Sequence, residues 1–256
     1  MRIIRYQTAS QPPTFGWAKD GKIGKIDGSP FEQFSRFEAE TAITEVELLS
    51  PVEPSKIVCV GRNYAAHAAE HDAEVPEVPL IFLKPPSTII PHGGTILLPP
   101  QSQQVEHEGE LAVVIGKTGR WIPPEEAQDF IFGYTIANDV SARDLQFQDG
   151  QWTRGKGFDT FCPLGPWIET DFDPADAMVT CHVNDEMRQM ASTRDMVFNV
   201  RQLVAYASSV MTMFPGDILL TGTPAGVNTL QDGDIVEVAI EGIGTLRNKV
   251  ANEPAH

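Results

Sequence analysis

Short apolar runs recur along the chain and predict a protein built mainly from β-strands. They are rich in Val and Ile, too short for typical helices, and closed by glycine, proline or charged residues. The clearest runs lie at residues 56–61, 80–84, 96–98, 111–116, 130–136, 218–220 and 235–240. The 21 glycines and 20 prolines punctuate these runs, which favours a β-dominated α+β fold.

One segment late in the chain has a helical period. The apolar residues at positions 200, 203, 204, 207, 210 and 211 share one helix face, and Asn199 is in place to cap it. Shorter helices are predicted at residues 62–71, with Asn63 near the N-cap, and from Pro124, which suits a first helical turn.

The first fifty residues form a smaller pattern of their own. A turn at residues 19–22 separates two short apolar pieces and predicts a β-hairpin. Residues 50–54 contain two prolines and have the composition of a linker. The chain is therefore divided into a small N-terminal β-rich unit, residues 1–50, and a main domain, residues 51–256.

The charge balance argues against two classes of partner. Lys and Arg number 19 against 35 Asp and Glu, a formal net charge of −16. Nucleic acids and anionic membranes bind basic surfaces, so neither is expected as a partner. No apolar run has the length of a membrane span or of a signal-peptide core. The three cysteines have no CxxC spacing and indicate buried thiols in a cytoplasmic protein.

Acidic residues precede the strand predicted at 111–116. If that strand extends backwards, its period of two places Glu106, Glu108 and Glu110 on one face. Clustered carboxylates beside a core strand repel one another and lose hydration, which a hard cation such as Mg²⁺ or Mn²⁺ offsets. Asp139, after another predicted strand, would add a third carboxylate to Glu108 and Glu110. The alternatives are a solvated strand edge for the glutamates and a turn or cap for Asp139.

His67 and Glu70 lie three positions apart, on one face of the helix predicted at 62–71. A carboxylate that orients an imidazole makes a general base, and a solvated surface pair is the alternative. With His71 the two residues also match H-x-x-E-H, the signature of inverted zinc metalloproteases, for which His107 or a glutamate would supply a third ligand. A proline that follows within five residues of the motif disfavours the peptidase.

Two further residues lie where a ligand could approach. Lys156 lies among glycines, which allow the backbone to come close to a ligand. Thr223 ends a Thr-Gly-Thr turn whose amides and hydroxyls could bind a carboxylate. An exposed loop lysine and a plain turn are the respective alternatives.

Together these motifs resemble the fumarylacetoacetate hydrolase family over about residues 56–250. Each block alone is weak, but all of them occur in order and with matching spacing. The blocks lie at residues 57–64, 82–85, 106–111, 138–144, 156–160 and 215–226.

The resemblance implies a mixed β-sandwich roll and a homodimer. It implies Mg²⁺ or Mn²⁺ on Glu108, Glu110 and Asp139, and a catalytic dyad of His67 and Glu70; Glu106 is not counted as a ligand. The positions that match residues surrounding the substrate are Arg62, Lys84, Gln146, Lys156 and Thr223.

The implied substrate is a small 2-oxo acid or diacid. Cleavage of a C–C bond, by hydrolysis of an acylpyruvate or by decarboxylation as in oxaloacetate, leaves an enolate that the metal and Lys156 stabilise. His67, oriented by Glu70, would activate water or move protons. An isomerase or decarboxylase of 2-hydroxyhepta-2,4-diene-1,7-dioate is the alternative within enzymes, and a catalytically silent metal- or ligand-binding protein is the alternative outside them. The larger N-terminal domain of fumarylacetoacetases is missing from this sequence, which disfavours that activity.

Overall fold

Strands dominate the computed structural model, which describes residues 1–9 and 11–254. The strands are β1 (Arg2–Thr8), β2 (Gln11–Lys19), β3 (Lys22–Gly28), β4 (Phe34–Arg36), β5 (Thr41–Ala42), β6 (Glu47–Leu49), β7 (Ile57–Gly61), β8 (Leu80–Lys84), β9 (Ile89–Ile90), β10 (Thr95–Leu98), β11 (Val105–Glu106), β12 (Gly109–Ile115), β13 (Ile131–Asn138), β14 (Ser141–Ala142), β15 (Cys162–Glu169), β16 (Met178–Val183), β17 (Glu186–Ser192), β18 (Ile218–Leu220), β19 (Ile235–Ile240) and β20 (Gly244–Asn252). The α-helices are α1 (Ala65–Glu70), α2 (Arg143–Asp149), α3 (Thr153–Lys156) and α4 (Val200–Val210). Short 3₁₀ helices lie at Ile43–Glu45, Pro86–Thr88, Ala127–Phe130 and Thr193–Asp195. The β-dominated α+β fold class predicted from the sequence is confirmed.

The strands form two main sheets. The larger has 13 strands, with the central order β4-β3-β2-β1-β15-β13-β12-β18-β7-β8. The smaller has five, in the order β10-β20-β19-β16-β17, and β11 pairs with β14. Strand β12 runs antiparallel to both of its neighbours, β13 and β18, whereas β18 and β7 run parallel. The described residues contain no helix long and apolar enough to cross a membrane.

Both faces of the larger sheet are buried at β12. Along β12, Leu111, Val113 and Ile115 pack in one core cluster with residues of the smaller sheet and of α4. The intervening Ala112 and Val114 pack in a second cluster on the opposite face. Because neither face meets water, β12 appears in the sequence as a continuous apolar run instead of an alternating one.

The N-terminal strands cover that opposite face. Ile3, Ile26 and Val52 pack in the same cluster as the second face of β12. Strand β1 pairs with β15, with Arg2 opposite Glu169, so the larger sheet continues into residues 1–50. The predicted hairpin forms, since β2 and β3 are joined by a turn at residues 19–22.

The helices test the capping predictions. Asn199 caps α4, and its side chain accepts a hydrogen bond from the amide of Gln202, so this prediction is confirmed. Asn63 is not a cap, because Tyr64 precedes α1 and the Asn63 amide instead donates to the carbonyl of Thr221 over 2.8 Å. The helix predicted from Pro124 begins later, as the 3₁₀ helix Ala127–Phe130.

The cysteines are buried and unpaired, as the sequence predicted. Burial raises the pKa of Cys162 and of Cys181 to about 12 and raises that of Cys59 further above its usual range. These thiols stay protonated and serve as small apolar side chains of the core.

Candidate active site

Sheet register brings three carboxylates together. Gly109 at the start of β12 is paired with Asn138 at the end of β13. Glu108 and Asp139 therefore lie just beyond this last pair, and the Asp139 amide donates to the Glu108 carbonyl over 2.8 Å. With Glu110, they place three carboxylate oxygens within 4.8 Å of one another, and all three side chains are buried.

Buried cations face two of these carboxylates. Lys156 Nζ lies 2.7 Å from Glu108 and 2.8 Å from Asp139. Lys84 Nζ donates to Asp139 over 2.5 Å, and Arg143 Nη2 donates to Glu108 over 2.5 Å. Burial alone would raise the pKa of Glu108, but the charges of Lys156 and Arg143 hold it well below its usual range. Glu108 is therefore ionised at neutral pH.

Glu110 has no such partner. No basic side chain among the described residues forms an ion pair with it, and the Gly222 amide donates to it over 2.7 Å. Burial, together with the charges of Asp139 and Glu108, raises the pKa of Glu110 well above its usual range. A divalent cation would supply the missing positive charge, and three carboxylate oxygens are the hard ligands that Mg²⁺ and Mn²⁺ prefer. The residues present fit such an ion.

Glu106 does not join the three carboxylates. The extended backbone is interrupted between β11 and β12, so the predicted single face does not run through Glu106. Glu106 instead accepts a hydrogen bond from Arg143 Nε over 2.8 Å. Arg143 also donates to Gln146 over 2.6 Å, so it joins Glu106, Glu108 and Gln146. Sequence reasoning did not single out Arg143, although it follows Asp139 closely and begins α2.

Helix α1 carries the predicted dyad. His67 is 6% exposed, and its Nδ1 lies 3.3 Å from Glu70 Oε2. The Gly226 amide donates to both Glu70 oxygens, at 3.0 and 3.2 Å, which ties α1 to the loop after β18. Burial lowers the pKa of His67, the carboxylate of Glu108 opposes this effect, and the charge of Arg143 lowers the pKa further. The imidazole is therefore neutral at pH 7 and able to accept a proton.

We expect the acid limb of the pH profile of kcat/KM to have an apparent pKa below the ordinary pKa range of a histidine. A base acts in its unprotonated form, and the lowered pKa of His67 preserves that form to more acidic pH. In Glu70→Gln the acid limb should move to still lower pH, because the Glu70 carboxylate, which favours the protonated imidazole, is gone. A pH profile of both proteins checks this, and an unshifted or raised limb in Glu70→Gln contradicts the assignment.

His67 of the dyad and the three carboxylates line one cavity of about 210 Å³, whereas Glu70 does not line it. This volume is below the ~300 Å³ at the lower end of common ligand pockets, so it suits a molecule of few atoms. The predicted site residues that line it are Arg62, His67, Glu108, Glu110, Asp139, Gln146, Lys156 and Thr223.

Arg62 and Lys84, both predicted near the substrate, differ in their surroundings. Arg62 has a left-handed backbone with φ 58°, rare for a residue other than glycine, and lines the cavity. Its guanidinium makes no hydrogen bond or ion pair with any residue that the structure describes. Lys84 is 1% exposed and donates to Asp139 and to the Val140 carbonyl. Arg62 is available to a ligand, whereas Lys84 supports Asp139.

Thr223 belongs to a hydrogen-bonded network that the sequence did not reveal. Its hydroxyl donates to the Gly109 carbonyl over 2.9 Å and accepts from Gln189 over 2.8 Å. Gln189 also accepts from the Gly109 amide and lies 3.1 Å from His107 Nδ1. Gln189 thus joins β17, the start of β12 and the loop after β18. His107 is buried in this network and does not supply the third zinc ligand of the peptidase alternative.

Comparison with known sequences identifies the class of protein. Residues 56–251 match the family described as "Fumarylacetoacetate (FAA) hydrolase C-terminal", and residues 1–51 match "Rv2993c-like, N-terminal". The first match covers more than half of the chain. The chain therefore belongs to the fumarylacetoacetate hydrolase family, and its named relatives are enzymes.

Three relatives carry informative names. The chain is 46% identical over 219 residues to the mitochondrial oxaloacetate tautomerase Fahd2a of Rattus norvegicus, covering 81% of this chain and 70% of that protein. Its sequence is 44% identical to that of 2-hydroxyhepta-2,4-diene-1,7-dioate isomerase from Mycobacterium marinum. The crystal structure of that protein superposes with a TM-score of 0.92 and covers 100% of both chains. A maleylpyruvate hydrolase from Sphingobium sp. SYK-6, in complex with manganese (II) ion and pyruvate, is 31% identical with a TM-score of 0.82, covering 99% of this chain and 100% of that one.

Proposed function

We propose that the protein is a Mg²⁺- or Mn²⁺-dependent enzyme that moves a proton at the carbon next to the keto group of a small 2-oxo diacid. One observation carries this proposal: the neutral His67 and the three buried carboxylates line the same small cavity. Relatives named as a tautomerase and an isomerase, at 46% and 44% identity, support proton transfer as the reaction.

Substrate binding is assigned to the free guanidinium and to the metal site. Arg62 lines the cavity without a partner among the described residues, so its fork of N–H donors can bind a substrate carboxylate through two hydrogen bonds. Glu108, Glu110 and Asp139 would hold the divalent ion, which supplies Lewis-acid polarisation of the 2-oxo acid when bound. The local cations offset the net charge of −16 for an anionic substrate.

Proton transfer is assigned to the dyad. His67 accepts the proton from carbon, since burial keeps its imidazole neutral. Glu70 orients the ring, and the Gly226 amide holds Glu70 in turn. Lys156 stays protonated because the charges of Asp139 and Glu108 raise its pKa against the effect of burial. Its ammonium adds positive charge at the cavity wall, where it stabilises negative charge that develops on the substrate oxygen.

Cleavage of a C–C bond, by acylpyruvate hydrolysis or oxaloacetate-type decarboxylation, is the second candidate. The likeness to the maleylpyruvate hydrolase favours it, and so does the dyad, because a neutral imidazole held by a carboxylate also activates water. The two candidates use the same binding residues. They differ in the proton that His67 moves: in tautomerisation it comes from carbon, and in hydrolysis it comes from water. Decarboxylation needs no base, because loss of CO₂ leaves an enolate that takes up a proton.

A turnover assay on metal-stripped protein, with and without added Mg²⁺ or Mn²⁺, tests the proposal. Oxaloacetate, acetylpyruvate and a hydroxydienedioate are followed by ultraviolet absorbance of the enol and by mass. We expect isomerisation at constant mass and a rate at least about 100-fold higher with metal. Release of pyruvate or of CO₂ instead selects the second candidate. Turnover of none of the three, with metal bound, contradicts both and favours the silent binding protein.

A further inference from the structure

Helix α1 carries a second group of metal-ligating side chains in addition to the carboxylates of β12 and β13. His67, Glu70 and His71 each offer one ligand atom, and these atoms lie within 4.8 Å of one another. The rings of the two histidines are edge to face, with centroids 4.8 Å apart. His71 has no part in the proposed reaction, so the group contains one imidazole more than the dyad needs.

His71 has an unsatisfied polar atom. Its Nε2 is buried and has no hydrogen-bond partner among the described residues. Such atoms are uncommon, because an unmade hydrogen bond in the interior is unfavourable. A divalent cation bound to this nitrogen of the neutral ring would satisfy it.

The donor set selects a different class of metal from the carboxylate site. Two imidazoles and one carboxylate suit zinc and similar borderline ions, whereas three carboxylates suit Mg²⁺ and Mn²⁺. His67 Nδ1 and Glu70 Oε2 are 3.3 Å apart. That is close to the roughly 3.3 Å between two ligands bound tetrahedrally to zinc at about 2.0 Å. The His71 side chain is only partly buried, so its rotation can bring a ring nitrogen closer to the other two ligand atoms.

We propose that His67, Glu70 and His71 form an inhibitory binding site for Zn²⁺ or a similar borderline divalent ion, separate from the carboxylate site. A zinc ion bound to Nδ1 of His67 leaves the single proton of the neutral ring on Nε2, so the imidazole has no lone pair left to accept a proton from substrate. The ion would lie at the same cavity as the carboxylates. Zinc binding depends only on this geometry; inhibition rests on the proposed function of His67. The H-x-x-E-H pattern thus marks a regulatory metal site in place of a peptidase site.

The test is a zinc titration of the full-length protein in excess Mg²⁺, which keeps the carboxylate site filled. Bound zinc is measured by equilibrium dialysis with elemental analysis, and Co²⁺ is used as a spectroscopic probe of histidine ligation. The key variant is His71→Gln, and His182→Gln on β16 is the matched control. Circular dichroism checks that both variants fold.

In the wild type we expect one zinc ion to bind per chain in excess Mg²⁺ and turnover to be lost. Co²⁺ bound at the same site should show the visible absorption of an ion with histidine ligands and fewer than six ligands in all. In His71→Gln zinc affinity should fall by at least the roughly 10- to 100-fold seen when an outer partner of a metal ligand is lost. His182→Gln should match the wild type. The Co²⁺ spectrum of the wild type provides a test that does not require His71→Gln to fold.

Three outcomes overturn the site: zinc affinity unchanged in His71→Gln, zinc displaced by raising Mg²⁺, or no bound zinc beyond the carboxylate site. Zinc that binds, needs His71 and leaves turnover unaffected supports the site and contradicts the proposed role of His67. The failure of the zinc site and the failure of the proposed function are thereby told apart.

Discussion

Replacing Glu108 with glutamine is expected to reduce turnover at saturating Mg²⁺ by about 1,000-fold or more and to weaken metal binding sharply. The change keeps the shape of the side chain but removes a charge that faces Lys156 at 2.7 Å and Arg143 at 2.5 Å. It also removes one of the three oxygens available to the metal. Removal of a single electrostatic contact at a reacting centre already lowers kcat by about 100- to 1,000-fold.

Glu106→Gln is the matched control for this prediction. Glu106 is also buried and bonded to Arg143, at 2.8 Å, but lies outside the group of three carboxylates. Turnover and metal affinity, from steady-state kinetics and calorimetry, should change far less in Glu106→Gln than in Glu108→Gln. Equal losses in the two variants would show that Arg143, and not a metal on Glu108, accounts for the effect.

Strands that are buried on both faces are among those that could be predicted. β7, β12 and β18 lie in the interior of the larger sheet and appear as unbroken apolar runs. β15 was missed because Pro163, Gly165 and Pro166 interrupt its sequence, although its neighbours in the sheet hold it extended. β17 was missed because Glu186, Arg188 and other polar residues obscure its period. In both strands, pairing with distant strands outweighs local propensity.

The site, too, could be predicted only in part, because its geometry depends on strand pairing. The sequence carries the spacing of Glu108 and Glu110, but the distance to Asp139 is set by the pairing of Gly109 with Asn138. The extended backbone is interrupted between β11 and β12, which turns Glu106 towards Arg143. The alternation of side chains that predicts a strand gives no sign of this interruption. Contacts such as these join residues far apart in the chain, and the single sequence could assign them only through resemblance to a family.

Lys156→Met is expected to strengthen metal binding and at the same time to lower turnover. Lys156 Nζ lies between Glu108 and Asp139, two of the carboxylates that the metal would use. Removal of this buried cation leaves both carboxylates less compensated, so the free energy of unfolding of the metal-free protein should fall by about 3 kcal/mol. The metal should bind at least about tenfold more tightly, because a repelling charge is gone. Turnover should nevertheless fall by about 100-fold, because the ammonium that stabilises developing negative charge is missing.

Lys84→Met is the matched control for the Lys156→Met prediction. Lys84 is equally buried and also donates to Asp139, but it does not line the cavity. Both variants should be destabilised without metal and recover stability as Mg²⁺ binds, since an ion that binds only the folded state favours that state. Thermal unfolding with and without Mg²⁺, calorimetry and steady-state kinetics measure the three effects. If Lys84→Met loses as much turnover as Lys156→Met at saturating Mg²⁺, the ammonium of Lys156 acts through the carboxylates alone, and its proposed contact with the substrate is wrong.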